Sequence, residues 1–150
     1  MATTYLIDSN ILIYAGNEDS EYHTRASEVM RKMSVGEIQA CIAYQSLYEF
    51  YAVITDPKRV EKPVSLQTAR EATEQYMKAR NIRKIHPLRT NLRNVVVLLR
   101  KYEISKQNIF DLVLVATMMD NKVTGIYTNN EVHFRRFDFL EVVNPLQSVA

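Results

Sequence analysis

The stretch Thr3-Thr4-Tyr5-Leu6-Ile7-Asp8-Ser9-Asn10-Ile11-Leu12-Ile13-Tyr14-Ala15 decides how the rest of the chain is read. Thr4 to Ile7 is a short β-branched and aromatic run, the pattern of a buried strand. Asp8 follows at once, then Ser9 and Asn10, then a second apolar run with the spacing of a short helix. An α/β protein places its chemistry in the crevice beyond the carboxyl ends of its strands, and Asp8 falls there. Read alone, the stretch asks only that Asp8 or Ser9 cap the helix, a position both residue types favour.

With 150 residues, 47% hydrophobic and 24% charged, the composition fits one globular domain over 1–150 with a sizeable core. No apolar run reaches the roughly 18 residues of a membrane helix, and no basic segment leads into a long apolar one at the N-terminus. The expectation is a soluble, cytoplasmic protein with no membrane partner. Cys41, the single cysteine, excludes an internal disulfide and a cysteine-rich metal site, and in the run Ala40 to Ala43 it reads as a small buried hydrophobe. A net charge of +2 does not by itself argue for nucleic acid. Basic residues do cluster, as Lys58/Arg59/Lys62, as Arg80/Arg83/Lys84 with Arg89 and Arg93, and as Arg135/Arg136. Each cluster alone is a solvated face; together they leave room for a rim that contacts phosphates.

Strand and helix patterns alternate along the chain. Tyr22 to Met33 is amphipathic, Ile38 to Ala43 is a short strand, and Gln45 to Thr55 carries Leu47, Phe50, Tyr51 and Ile54 at helical period. Asp56-Pro57 stops that helix. Ser65 caps a helix to about Arg80, with Leu66, Ala69, Thr73, Tyr76 and Met77 as its stripe. Ile82 to His86 is a strand, and Thr90 or Asn91 opens a helix whose stripe is Leu92, Val95, Val96 and Leu99. Asn108 caps the run Ile109 to Asp120, apolar on nearly all sides and read as a buried helix. Val123 to Thr128 and Leu140 to Val143 are the last strands, and Gly16, Gly36 and Gly125 each suit a turn. The pattern predicts an α/β fold of three layers, α/β/α, with a mostly parallel sheet of four to five strands.

Three carboxylates stand in settings that a core avoids. Asp8 ends the first strand, Glu49 sits in Ser46-Leu47-Tyr48-Glu49-Phe50-Tyr51, and Asp111 lies between Phe110 and Leu112 in the most apolar helix. A buried acid is costly unless it pairs, accepts hydrogen bonds or binds a cation. Asp111 is also explained by the helix dipole and by capping-box spacing from Asn108, and Glu49 by a turn toward solvent beside Gln45. The cluster Thr128-Asn129-Asn130-Glu131 follows the strand Val123 to Tyr127, as Asp8 follows the first. Carboxylates without histidine or cysteine suit magnesium or manganese, which activate water and neutralise charge on a phosphodiester. His23 and His86 read as surface residues; His133, in the late loop after Asn130, is kept as a substrate contact.

Four stretches in this order, LIDSNILIYA at 6–15, QSLYEFYAVIT at 45–55, IFDLVLVATMMDNKVTGIYTNN at 109–130 and EVVNP at 141–145, resemble the PIN-domain family, and within it the VapC-like ribonuclease toxins of type II toxin–antitoxin systems. The resemblance covers essentially the whole chain. It implies a metal-dependent endoribonuclease in which Asp8, Glu49 and Asp111 bind magnesium or manganese and direct water at the scissile phosphate. Asn130 falls where many members carry a fourth acid, usually aspartate; an amide still ligates or holds a water, but it brings no charge, and Glu131 stands next door. Ser9 and Thr128 are then the hydroxyls that orient the carboxylates. The resemblance further implies a homodimer and a small antitoxin partner; His133, after the Asn130 cluster, and Arg135 and Arg136, from the basic rim, are the candidates for holding RNA. Tyr48 and Tyr51 are either antitoxin contacts or core.

Other chemistry fits less well. A phosphatase with an aspartate nucleophile wants a second aspartate where Asn10 stands, and a receiver domain wants an acidic pair and a late lysine. No glycine-rich phosphate loop is present. A PIN-like fold that only binds RNA or protein is the remaining alternative.

Overall fold

β1 (Tyr5–Ile7) is the middle strand of a five-stranded, all-parallel sheet in the computed structural model, which describes residues 2–147. The order is β3-β2-β1-β4-β5, with β2 at Ala40–Ala43, β3 at Arg83–Ile85, β4 at Gly125–Tyr127 and β5 at Glu141–Val143. The chain builds outward from β1 on one side, then crosses back to place β4 against its other side. Leu6 pairs with Cys41 and with Ile126, and Ile7 with Tyr127. Asp8 and Thr128 therefore leave adjacent strands at the same edge, where the strand order reverses. Such a switch point opens a crevice.

Successive strand residues point to opposite faces, so the sheet carries two cores. Ile7 and Ile42 pack with α1 (Ser9–Ala15), α2 (His23–Ser34), α3 (Tyr44–Ile54) and α4 (Leu66–Lys78). Leu6, Cys41, Ile85 and Ile126 pack with α5 (Asn91–Lys101), α6 (Ile109–Asp120) and Phe134 of α7 (Glu131–Arg135). The three layers are those expected from the alternating pattern, and Cys41 is fully buried in the second core.

Several local expectations change. Gly125 lies inside β4, not in a turn: a Cβ there would stand 2.6 Å from Tyr5 Cδ1, and its absence lets the Tyr5 ring stack on Tyr127 at 4.5 Å. Asn108 makes no capping bond, because it belongs to a short 3-10 turn, Lys106–Asn108, that leads into α6. α5 buries Val95 and Leu98, while Leu92, Val96 and Leu99 face solvent; in α4 Ala69 is buried while Leu66 and Met77 are exposed. The region of His133 is not a loop but the short helix α7.

The register of α5 is set by a polar contact. Asp120, the last residue of α6, accepts from Leu88 N at 3.0 Å, Thr90 Oγ1 at 2.6 Å, Asn91 Nδ2 at 2.8 Å and Asn94 Nδ2 at 2.7 Å. Burial alone would push this carboxyl up, but these donors outweigh it and hold it below the usual aspartate range. Asp120→Ala is expected to cost about 2 kcal/mol at neutral pH, measured by urea unfolding. A depressed folded pKa contributes stability above the unfolded value and loses it as pH falls, so the deficit fades in acid.

Candidate functional site

Asp8 ends β1 and caps α1: its backbone is extended and its Oδ1 accepts from Ser9 N at 2.8 Å. Capping and a placement at the sheet edge are thus properties of one residue. Asp8 Oδ2 accepts from Thr128 Oγ1 at 2.8 Å and from Asn10 Nδ2 at 3.2 Å. Asn10 also accepts from Asn129 N at 3.1 Å through its Oδ1, which ties the start of α1 to the segment after β4. Only 6% of Asp8 is exposed, and Thr128 is fully buried.

Glu49 on α3 is half-buried, not turned out to solvent. Ser9 Oγ donates to Glu49 Oε2 at 2.8 Å, so Ser9 holds Asp8 with its backbone and Glu49 with its side chain. Gln45, one turn earlier on α3, donates to Glu49 Oε1 and to the Phe110 carbonyl, both at 3.1 Å. That bridge brings α3 to the first turn of α6, beside Asp111. Asp111 Oδ2 stands 2.9 Å from His133 Nδ1; an ionised carboxylate only accepts, so Nδ1–H donates.

The structure thus gathers Asp8, Glu49, Asp111, Ser9, Thr128 and His133 at one edge. Asn130 is exposed; its backbone N–H donates to Thr128 Oγ1 at 2.9 Å, but its side chain bonds to none of the described residues. Glu131 does not compensate, since it accepts from Arg135 at 3.0 Å and from Gln147. Arg135 is held by that pair, and Arg136 is exposed without an ion pair among the described residues. Tyr48 is 68% exposed and therefore not core, while Tyr51 is half-buried. Asn10 and Gln45 were not anticipated as members. Their one signal is spacing: two residues after one acid and four before another.

Burial is the main cause that pushes the Asp8 carboxyl up to about 6; bonds from Thr128 and Ser9 pull against it, and the charges of Glu49 and Asp111 add to the rise. The three acids feel one another without forming a closed cage: among the described residues no three acid, histidine or cysteine side chains converge as a preformed metal-holding group. A carboxyl with a raised folded pKa favours folding when protonated, so stability falls as pH climbs from about 4 to about 6 and stays reduced at neutrality. In EDTA at pH 7.5, Asp8→Asn is expected to melt several degrees above wild type, a gain on the order of 2 kcal/mol that vanishes near pH 4. Thermal melts across pH read this directly; a less stable variant at pH 7.5 would contradict it.

Comparison with known proteins gives a consistent picture. Ribonuclease VapC24 of Mycobacterium tuberculosis is 27% identical over 142 residues, covering 95% of this chain and 97% of the relative. Among solved structures, M. tuberculosis VapC20, described as a sarcin-ricin loop cleaving toxin, matches with a TM-score of 0.64 at 12% identity, over 88% of this chain and 94% of that one. A toxin–antitoxin complex from Klebsiella pneumoniae matches with a TM-score of 0.60 at 19% identity, over 96% of this chain and 99% of that one. At these identities the two structures speak to the fold. Residues 5–140 match the PIN domain model, and the chain belongs to the PIN domain family.

Proposed function

We propose that this protein is an endoribonuclease that cleaves RNA phosphodiesters with a divalent cation, magnesium or manganese, and acts as the toxin of a toxin–antitoxin pair. The observation that carries the reading is the Asp8 carboxyl at the switch point, linked through Ser9 to Glu49 and raised chiefly by burial, with the charges of Glu49 and Asp111 adding to the rise. Acids held this way repel one another, and a cation relieves the repulsion. Oxygen donors of this kind suit a hard divalent ion by their chemistry, while among the described residues no three of them converge as a preformed group. When bound, such an ion activates water and neutralises charge on a phosphodiester.

Asp8, Glu49 and Asp111 are the ligands in this reading. Ser9, Thr128, Asn10 and Gln45 orient them, because each donates to a carboxylate oxygen. Asn130 is exposed, and Arg136, exposed without an ion pair among the described residues, is a cation offered to an RNA phosphate. Similarity to Ribonuclease VapC24 and to a toxin–antitoxin complex supports the activity and a small antitoxin partner. The exposed Leu92, Val96 and Leu99 side of α5 supports a homodimer. No helix among the described residues is long and apolar enough to cross a membrane, in keeping with action on RNA in the cytoplasm.

One observation favours a second reading, a PIN-fold module that binds RNA or protein without cutting: the acids do not form a closed cage. A mixed RNA panel incubated with magnesium, manganese or EDTA separates the two. Cleavage that needs the ion and falls at least about a hundredfold in Asp8→Asn, Glu49→Gln and Asp111→Asn is the expected result. Wild type that cuts nothing, with RNA binding unchanged in the three variants, would establish the binding module.

A further inference from the structure

Aromatic rings that no core uses stand beside the acids. Gln45, which donates to Glu49, also donates to the Phe110 carbonyl at 3.1 Å, so the starts of α3 and α6 adjoin. Tyr44, the residue before Gln45, follows β2 directly, and His86 follows β3 directly. Their rings stack with centroids 5.1 Å apart. The strands are parallel, so this pair leaves the same sheet edge as Asp8, one and two strands away, or about 5 and 10 Å. Tyr48 lies one turn beyond Tyr44 on the same face of α3. Tyr48 is 68% exposed, Phe110 61% and Tyr44 42%, and Tyr48 and Phe110 each adjoin an acid of the site in the chain, Glu49 and Asp111.

We infer that these rings form a stacking platform for unpaired bases of the RNA, next to the phosphate that is cut. The inference rests on the nuclease reading above and names the form of RNA that the site takes. The charge around the rings favours nucleic acid over a protein partner. Residues 44–48, 86–94 and 106–110 hold Arg89, Arg93 and Lys106 and no acid. Arg89 and Lys106 are exposed and form no ion pair among the described residues. Rings interleaved with such cations hold the bases and the backbone of a single strand together. The exposed face of α5, with Leu92, Val96 and Leu99, is by contrast aliphatic. In an A-form duplex each base is already stacked on its neighbours, so the platform selects loops and single strands. Every base has a π-face, so stacking reads the form of the RNA and not its sequence.

The test measures binding in EDTA, which keeps it apart from cleavage. Fluorescence anisotropy compares a labelled oligoadenylate with its duplex with oligouridylate. The single strand is expected to bind at least about tenfold tighter than the duplex. Tyr48→Ala and Phe110→Ala are each expected to weaken the single strand about tenfold and leave the duplex unchanged, while Tyr48→Phe, which keeps the ring, binds as wild type. Arg89→Ala and Lys106→Ala are each expected to lower the slope of log affinity against log salt by about 0.7. Affinity that ignores the ring removals, equal affinity for strand and duplex, or a salt slope that neither cation changes overturns the platform. A loss in Tyr48→Ala that comes with a smaller mass in sedimentation also overturns it, because the strip is then an interface between copies. In each of these cases, wild type that still cuts the RNA panel with magnesium or manganese leaves the nuclease reading standing. Wild type that neither binds nor cuts removes both.

Discussion

The hydrogen bond from Thr128 Oγ1 to Asp8 Oδ2 is the contact on which the rest of the site depends. It spans two parallel strands that are adjacent in the sheet and 120 residues apart in the chain. It forms only because β4 returns to the free side of β1 after β2 and β3 have filled the other. Asp8 is thereby kept out of water at a place where the fold would be more stable with a neutral group. The donors around it lower that cost without removing it, since the carboxyl remains raised. A site tuned this way trades stability for readiness to hold positive charge.

The helices supply the remaining parts in a fixed division. One layer delivers Ser9 and Glu49, the other delivers Asp111, and Gln45 joins them across the edge by its bond to the Phe110 carbonyl. Every donor that orients a carboxylate here is a neutral side chain, a backbone amide or His133. Among the described residues no lysine or arginine bonds to these acids. An arginine among the acids would neutralise them internally and leave little reason for a cation to bind.

Much of this was legible in the chain itself. A strand ending in Asp8, an apolar helix with an acid in its first turn, and a second strand ending in Thr128 are local patterns, and they reappear in the structure. What was not legible depends on partners distant in sequence. Asn10 stands in the sequence where other chemistry would want an aspartate, and its role comes from Asn129, whose N–H donates to it. The sequence around His133 reads as a loop because a five-residue helix is too short to show a period. In α5 the sequence pattern points Leu92, Val96 and Leu99 inward because they share a face, yet Asp120 draws Thr90, Asn91 and Asn94 inward and that face turns out. Gly125 reads as a turn in the sequence because its neighbour across the sheet, the Tyr5 ring, is distant in the chain.

α6 carries an acid near each end, Asp111 toward the crevice and Asp120 at the opposite end of the sheet layer. At 1.5 Å per residue they lie about 14 Å apart along a helix whose middle, Leu112 and Leu114 to Met118, is buried. Its foot is bolted by Asp120 to the start of α5, so the height and tilt of its head are fixed from a distance. Changes at the partly buried Thr90 or Asn94 would loosen that anchor, and their expected effect on the crevice is a shift in where one carboxylate points. Natural or selected variants that alter activity from that remote side would be understood as changes in alignment, with the chemistry of the acids untouched.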